Sequence, residues 1–262
     1  MLSNILYIIF IVTTALAGFL VKSLTFSGAF ATVFVGISVA IGFQLPGLLL
    51  LGIFFATSSL WSKFLASKKK SIEEKLEKGD ARDWQQVLAN GGTAAISAWI
   101  HFFHPSEASL LAFIVSIAAA NSDTWASEIG VLSKRRPFYV LTLKPAERGT
   151  SGAVSLLGSA AGFVGAGLIA ISAVLLFKLP WHPLLAFVAV FGFIGNLADT
   201  LLGAVVQARF RCGACGLETE RTIHCGQQTL LVKGGRLITN DVINFSSITL
   251  ASLLAVLLIT LF

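Results

Sequence analysis

The stretch 110-LLAFIVSIAAANSDTWASEIG-130 decides the fold. Residues 110–120 are almost entirely apolar, whereas Asn121, Asp123 and Glu128 follow close together. A helix needs about 20 mostly apolar residues to cross a bilayer. A carboxylate inside such a run costs about 2.5–3.5 kcal/mol on insertion scales, so it usually faces a protein cavity. The stretch therefore predicts a membrane-spanning helix whose last turns carry chemistry.

The whole chain has the composition of a membrane protein. Of its 262 residues, 55% are hydrophobic and 12% are charged, and the mean hydropathy is +0.84. Soluble domains carry about 25% charged residues, so the composition excludes a soluble domain. The 19 Lys and Arg against 13 Asp and Glu are explained by basic cytoplasmic loops rather than by nucleic-acid binding. The three cysteines all lie between residues 212 and 225, which argues against a disulfide framework.

Hydropathy predicts one all-α domain over residues 1–262, a polytopic membrane helix bundle with about eight transmembrane helices. Helices satisfy their own backbone hydrogen bonds in lipid, and no segment has the alternation of barrel strands. The second and third spans are separated only by the region around Gln44 to Pro46, so a re-entrant hairpin is an alternative there. The predicted spans are 3–21, 26–43, 45–62, 85–103, 107–131, 151–177, 183–206 and 240–261.

The basic residues predict the orientation. With the N-terminus outside, the loops after spans one, three, five and seven are cytoplasmic and hold 18 of the 19 Lys and Arg, all except Lys178. The run 68-KKKSIEEKLEKGDARDW-84 predicts a solvated helix or a contact with anionic headgroups. We therefore predict a multi-pass integral membrane protein, in the cell membrane if the source is prokaryotic. Its active-site loops are cytoplasmic: a charged loop at 65–84, a basic glycine-rich loop at 133–150 and a Cys/His loop at 207–239.

Polar clusters on three spans are predicted to reach one membrane level. They lie in 121-NSDTWASEIG-130, 195-GNLADTLLGA-204 and 240-NDVINF-245. Hydrogen bonding between helices is the alternative role for such residues. Acids without basic partners repel one another, however, and favour a hard cation such as Mg²⁺. The predicted Mg²⁺ ligands are Asp123, Asp199 and Asp241, and the predicted catalytic residues are these three and Glu128.

A glycine-bearing stretch before the sixth span predicts phosphate binding. In 147-ERGTSG-152, small residues let backbone amides approach a phosphate closely at a helix N-terminus. Basic side chains add charge, and the Asn residues of the three clusters are predicted to contact the same phosphates. The predicted phosphate-binding residues are Lys144, Arg148, Gly149, Thr150, Ser151, Gly152, Asn121, Asn196, Asn240 and Asn244.

The loop 212-CGACGLETERTIHCG-226 offers four metal-ligand side chains. Cys212 and Cys215 have the CxxC spacing of a zinc knuckle. His224 and Cys225 are adjacent, so the chain must turn there for both to face one ion. Two interpretations stay open: a structural Zn²⁺, or reduced thiols in a loop that covers the site.

Several motifs together resemble the transmembrane protein 19-like family, which includes the phytyl-phosphate kinase of plant plastids. They are NSDTWASEIG, KPAERGTSGAVSLLGSAAG, ADTLLGAVVQ, HCG and NDVINF, in collinear order, and the resemblance as a whole runs from about Ser23 to the C-terminus. The resemblance implies transfer of a phosphoryl group from a nucleoside triphosphate, ATP or CTP, to an isoprenyl monophosphate. The implied partners are that lipid, the nucleotide and membrane lipids, with no nucleic acid. The family is distantly related to CTP-dependent polyprenol kinases and phosphatidate cytidylyltransferases.

The chemistry of the residues agrees with a lipid kinase. Phosphoryl transfer mainly requires positioning and neutralised charge, and a lipid phosphate brings its own anionic nucleophile. A CTP-dependent polyprenol kinase or cytidylyltransferase-like enzyme is the alternative within enzymes. A cation-coupled transporter is the alternative outside them, since Asp-Thr recurs in 123-DTWASEIG-130 and 199-DTLLGA-204. Against transport, the predicted acids lie to one side of the membrane rather than at its midplane.

Overall fold

The protein is a bundle of long apolar helices, described here by a computed structural model. The structure describes residues 2–65, 76–79 and 81–261. The described helices are α1 (Leu2–Leu20), α2 (Phe26–Phe64), α3 (Trp84–Phe103), α4 (Glu107–Gly130), α5 (Leu156–Phe177), α6 (Leu184–Val205) and α7 (Asn240–Leu261). All of these except α3 are long and apolar enough to cross a membrane. The predicted all-α polytopic membrane bundle is confirmed.

Helix α2 consists of two segments that fold back on each other. Gln44 has φ 51° and ψ −145°, which breaks the helix, and Pro46 follows. Gly47 packs so closely against the first segment that a Cβ atom there would lie 2.5 Å from Phe43 Cβ and 2.9 Å from Val39 Cγ1. In a continuous helix, Gly47 and Val39 would be about 12 Å apart along the axis. The two segments therefore run antiparallel, while the span count of eight and the orientation stay predictions.

Helix α4 is the centre of the bundle and packs against α3, α5, α6 and α7. Small residues bring the helices together. A Cβ atom at Gly195 of α6 would lie 2.5 Å from Ala119 Cβ of α4, and one at Gly192 would lie 2.7 Å from Ala118 Cβ. Close approach of this kind stabilises membrane bundles, because lipid supplies no hydrophobic driving force between helices. The polar C-terminal turns of α4 are thereby held in the middle of the bundle.

One end of the bundle is packed with aromatic rings, and we call it the aromatic end. It consists of Phe43, His101, Phe113 and Phe177. The ring centroids of Phe43 and Phe113 are 4.3 Å apart, and those of Phe43 and His101 are 4.6 Å apart. Phe113 lies ten residues before Asp123 on α4, a rise of about 15 Å. The polar clusters therefore lie at the other end of the bundle, which we call the polar end.

The loops at the polar end contain short strands. The described strands are β1 (Phe138–Tyr139), β2 (Ala153–Val154), β3 (Arg209–Arg211), β4 (Glu218–Thr219), β5 (Ile223–His224), β6 (Gln227–Gln228) and β7 (Leu230–Lys233). All pairings are antiparallel: β1 with β2, β3 with both β4 and β7, and β5 with β6. The helix proposed within 68–84 falls largely on residues 66–75 and 80, which lie outside the described residues.

The start of the sixth predicted span, at residue 151, is wrong. Helix α5 begins at Leu156, after strand β2 has paired with β1. Gly152 has φ 83°, in the left-handed region, so the helix cannot extend back through it. Ser155 caps the helix, because its Oγ accepts a hydrogen bond from Gly158 N at 3.0 Å. The glycine-bearing stretch is therefore a turn before the helix rather than its first turn.

Candidate functional site

A polar cavity at the polar end gathers most of the predicted site residues. It has a volume of about 370 Å³ and lies where α4 and α6 end and where α3, α5 and α7 begin. The predicted residues that line it are Asp123, Glu128, Arg148, Gly149, Thr150, Ser151, Gly152, Asn196, Asp199, Asn240, Asp241 and Asn244. Four separate parts of the chain thus meet around one space.

Asp199 of α6 is held by two side chains of α7. Ser247 Oγ donates to Asp199 Oδ2 at 3.3 Å. Asn244, with its amide nitrogen turned toward α6, donates to the same oxygen at 2.8 Å. Asp123 of α4 lies close enough to Asp199 for the two charges to interact. A pair of like charges in a shared cavity favours a bound cation, so these two carboxylates are the strongest metal candidates among the described acids.

Asp241 has a basic partner, contrary to our expectation. Lys78 Nζ lies 2.5 Å from Asp241 Oδ2 and 2.8 Å from Asp83 Oδ2. Burial acts to lower the pKa of Lys78, but its bonds to the two carboxylates outweigh burial and raise that pKa. Lys78 is 163 residues from Asp241 in the chain, so sequence spacing gave no sign of the pair. The result is a fixed cation at the rim of the cavity.

Glu128 and Arg82 form a second group of charged residues on the cavity wall. Ser62 Oγ donates to Glu128 Oε1 at 2.6 Å, which ties the end of α2 to α4. Burial lowers the pKa of Arg82, and the negative charge of Glu128 opposes this shift. The Arg82 guanidinium also lies 5.8 Å from the centre of the Phe54 ring. Arg82 is therefore a partly desolvated cation facing the cavity beside a carboxylate.

The predicted phosphate-binding stretch forms a tight turn, and residues elsewhere in the chain hold it in place. Gly149 and Gly152 have φ angles of 76° and 83°. A Cβ atom at Gly152 would lie 2.5 Å from Ala204 Cβ, so only glycine allows this packing. Ser151 Oγ donates to Gln207 Oε1 at 2.6 Å, and Arg148 Nη2 donates to the Ser133 carbonyl at 2.5 Å. The backbone of the turn is thus fixed against α6 and the loop that follows it.

Two predicted phosphate-binding residues lie outside the cavity lining, and their assignment is corrected. Asn121 is fully buried, donates to the Gly165 carbonyl at 2.8 Å and accepts from Thr57 Oγ1 at 3.2 Å. It joins α4 to α5 and α2, which is the alternative role of an interhelical hydrogen-bonding residue. Lys144 is exposed, and its carbonyl accepts a hydrogen bond from Tyr139 N at 2.8 Å in the β1–β2 loop.

The cavity wall also contains polar residues that are not among the predicted site residues. They include Lys78, Arg82, Gln86, Asn90 and Glu220. Asn90 begins the polar, glycine-bearing stretch 90-NGGTA-94, which the sequence offers as a second candidate anion site beside residues 147–152. Glu220 gave no such signal, because it lies among ordinary loop residues. Burial raises its pKa to about 7, and Gln207 Nε2 donates to its Oε1 at 2.7 Å.

A smaller apolar pocket adjoins the polar cavity. It has a volume of about 70 Å³ and lies between α1, α2 and α3, with Ile11, Val35 and Leu51 in its wall. Three residues line both spaces: Arg82, Gln86 and Asn90. The apolar pocket and the polar cavity therefore lie side by side.

The four Cys/His side chains of the loop at 207–239 come together. The ligand atoms of Cys212, Cys215, His224 and Cys225 all lie within 4.8 Å of one another. A hydrogen bond from the Cys215 backbone, with others including one from His224, lowers the pKa of Cys212 to about 6. The neighbouring thiols act oppositely on Cys225 and raise its pKa to about 11. Crowded thiols of this kind favour a shared cation.

The fold and the site define a multi-pass integral membrane protein with a polar cavity at one end of its bundle. The chain belongs to the integral membrane protein DUF92 family, whose profile matches residues 9–252. Together with the relatives described next, this match confirms the placement in the transmembrane protein 19-like family that the motifs predicted, and the localisation in a membrane.

The chain has relatives in a plant, an archaeon and a cyanobacterium. Protein PGR of Arabidopsis thaliana is 33% identical over 258 residues, covering 89% of this chain and 88% of its own. Protein VTE6, chloroplastic, of the same plant is 24% identical, covering 91% of this chain and 66% of its own. An uncharacterized membrane protein of Methanocaldococcus jannaschii is 38% identical over 162 residues, covering 62% of this chain and 66% of its own. No solved structure matches the chain.

Proposed function

We propose that this protein transfers a phosphoryl group from a nucleoside triphosphate to an isoprenyl monophosphate, giving the diphosphate. The observation that carries the proposal is the polar cavity beside an apolar pocket, with Arg82, Gln86 and Asn90 in the lining of both. An isoprenyl phosphate has this division into a charged head and an apolar chain. The resemblance to the transmembrane protein 19-like family implies the same reaction, and membership in the family supports it.

The nucleotide phosphates occupy the side of the cavity formed by α4, α6 and the glycine turn. Asp123 and Asp199 hold Mg²⁺, which neutralises charge on the phosphates. The backbone of residues 149–152 and the side chain of Arg148 bind the phosphate oxygens. Lys78, fixed by Asp241, adds positive charge at the rim. Asp241 therefore acts through Lys78 in this proposal, in place of the predicted direct bond to the metal.

The lipid phosphate occupies the opposite side, at Arg82. This guanidinium lies where the polar cavity meets the apolar pocket, and burial has removed part of its hydration. The pocket takes the first carbons of the chain, and the rest extends into the surrounding lipid. An oxygen of the lipid phosphate attacks the γ-phosphorus, the bond from that phosphorus to the β–γ bridging oxygen breaks, and the nucleoside diphosphate leaves. The nucleophile is already anionic, so no strong base is required.

The structure gives less support to transport. A transported cation must pass the aromatic end, where Phe43, Phe113 and His101 are packed ring against ring. Phe113 is fully buried, and neither the polar cavity nor the apolar pocket has any residue of this cluster in its lining. A protein that binds ions from one side only is better suited to surface chemistry than to alternating access.

The test is a lipid-product assay with the purified full-length protein, Mg²⁺ and phytyl or geranylgeranyl monophosphate. Separate reactions contain ATP or CTP labelled at the α- or the γ-phosphate. We expect the γ-label, and not the α-label, to enter a lipid diphosphate. Entry of the α-label would instead identify a cytidylyltransferase-like reaction. No labelled lipid with either nucleotide, together with nucleotide-free cation flux into proteoliposomes, would contradict the proposal in favour of transport.

A matched pair of basic residues sharpens the assay. Arg148→Gln removes a cation from the cavity wall, whereas Lys144→Gln removes one from the same loop outside the cavity. Losing one charge-assisted hydrogen bond costs about 1.5–3 kcal/mol, so kcat/KM should fall about 10- to 100-fold for Arg148→Gln. Lys144→Gln should be unchanged. If the two substitutions had equal effects, the turn would not be part of the phosphate-binding site.

A further inference from the structure

Two antiparallel hairpins at the polar end each present metal ligands at their tips. In the first, β3 leads to Cys212 and Cys215, and the chain returns as β4. Gly216 N donates to the Cys212 carbonyl at 2.9 Å, and Cys212 N donates to the Leu217 carbonyl at 3.0 Å. These bonds form the tight turn in which a CxxC pair points both sulfurs to one side.

The second hairpin explains how adjacent residues face one point. β5 ends at His224 and pairs with β6, and the tip between them is Cys225–Gly226. Cys225 has φ 51° and Gly226 has φ 72°, both in the left-handed region. Two consecutive positive φ angles make the tight turn that suits a two-residue hairpin. The turn brings Cys225 Sγ to 3.3 Å from His224 Nδ1.

The distances between ligand atoms fit a tetrahedral zinc ion. With bonds of about 2.3 Å to sulfur and 2.0–2.1 Å to nitrogen, sulfur and nitrogen lie about 3.5 Å apart across a tetrahedron. The His224 Nδ1 atom lies 3.5 Å from Cys215 Sγ and 3.3 Å from Cys225 Sγ. Cys212 is buried beneath them, and all four ligand atoms lie within 4.8 Å of one another. All three cysteines of the chain meet at this point.

We propose that Cys212, Cys215, His224 and Cys225 bind one Zn²⁺, and that this zinc holds the loop at 207–239 as a rigid wall of the polar cavity. Three sulfurs and one nitrogen in a closed tetrahedral set are typical of a structural zinc site rather than a catalytic one. Such a site stabilises a small loop region that has too little apolar core of its own.

The zinc site connects to the cavity through short contacts. Glu220 follows β4 directly, lines the cavity and accepts a hydrogen bond from Gln207 Nε2 at 2.7 Å. Arg221 Nε donates to the Leu76 carbonyl at 2.7 Å, next to the segment that carries Lys78. Zinc therefore positions both Glu220 and the Lys78 segment. This role does not depend on which reaction the cavity performs.

The first test measures metal in the full-length protein, purified in detergent and washed with EDTA. Elemental analysis should find about one zinc per chain, as expected for a closed four-ligand site. Modifying the thiols with a mercurial reagent should release that zinc to a colorimetric chelator. A zinc content near zero would overturn the proposal, and so would iron in place of zinc. This measurement uses the natural sequence, so it does not depend on whether a variant folds.

The second test uses variants and a matched histidine control. Cys215→Ser and His224→Ala should lower bound zinc at least about tenfold, because three ligands hold Zn²⁺ far more weakly in a structural site. His182→Ala, at an exposed histidine outside the cluster, should keep its zinc. Trypsin should cleave the loop at 207–239 at least about tenfold faster after zinc removal, while the helical content is unchanged. Zinc removal without faster cleavage would overturn the positioning role.

Discussion

The two halves of α4 differ in burial. Every residue from Phe113 to Ser122 is buried, whereas none from Asp123 to Gly130 is fully buried. The first half packs against rings and small residues, and the second half borders the polar cavity. The same helix therefore supplies the rigid core and one wall of the candidate site.

This contrast indicates a division of labour along one helix. Close packing of the first half positions the second half, where Asp123 and Glu128 line the polar cavity. Substitutions in the buried half should lower stability and spare activity per folded molecule. Substitutions in the cavity half should do the reverse, because a polar wall contributes little packing.

The largest expected effect is from Asp123→Asn or Asp199→Asn. Each keeps the shape of the side chain but removes the charge that holds Mg²⁺, so turnover should fall by at least about 100-fold. Expression should be equal or better, because an amide inserts into a membrane more easily than a carboxylate. Added Mg²⁺ should raise the Tm of the natural protein more than that of the variants. Near-normal turnover in both variants would contradict the proposal that Asp123 and Asp199 hold Mg²⁺.

Lys78→Met should have a smaller effect on activity. It removes the cation that bridges Asp241 and Asp83 at the rim, leaving the two carboxylates to repel the nucleotide. We expect kcat/KM to fall about tenfold, with partial recovery in Lys78→Arg because the charge returns. Lys134→Met, an exposed lysine outside the cavity lining, is the control and should match the natural protein. A loss of the same size in both variants would point to general surface charge.

Asn121→Ala tests the buried half of α4. It removes the buried hydrogen bond from Asn121 to the Gly165 carbonyl, and such a bond contributes about 0.5–1.5 kcal/mol. The Tm in detergent should fall, while turnover per folded molecule stays within about twofold, since the cavity is untouched. A selective loss of turnover at normal Tm would mean that Asn121 belongs to the site after all.

The smallest expected effect is that of Glu220→Gln, which should change the pH dependence of Tm. Burial raises the pKa of Glu220 from its model-compound value of 4.5 to about 7 in the folded state. The folded state therefore binds this proton more tightly, so the contribution of Glu220 to stability is fully present below pH 4.5 and is lost as the pH rises through about 7. Between about pH 5.5 and 8.5, the natural protein should lose more Tm than Glu220→Gln does.

Glu218→Gln is the control for that experiment. Its bond to Arg211 lowers the pKa of Glu218, so this carboxylate stays ionised throughout the same pH window. The Tm of Glu218→Gln should therefore depend on pH in the same way as the Tm of the natural protein. If Glu220→Gln also left the pH dependence unchanged, the buried carboxylate would not be the titrating group.

The family and the membrane bundle were predictable from sequence, and much of the candidate site was too. Asn121 shows the limit of that reasoning, because it stands two residues from Asp123 in the same polar motif. Two residues turn a helix by about 200°, so the two side chains point to nearly opposite faces. Asp123 lines the cavity, whereas Asn121 points to α5 and α2. Which face borders the cavity depends on how neighbouring helices pack, and the motif does not record it.

The sequence by itself determined how far along the bundle each acidic residue lies, and only the tertiary structure decided which side chains pair with one another. The length of an apolar run and the rise of about 1.5 Å per residue set the level of Asp123, Asp199 and Asp241 along the bundle. The pairing of Lys78 with Asp241 joins residues 163 positions apart, and no local pattern encodes it. Such a pair forms only when packing brings two loops to one point, because the attraction between charges depends on distance in space and not along the chain.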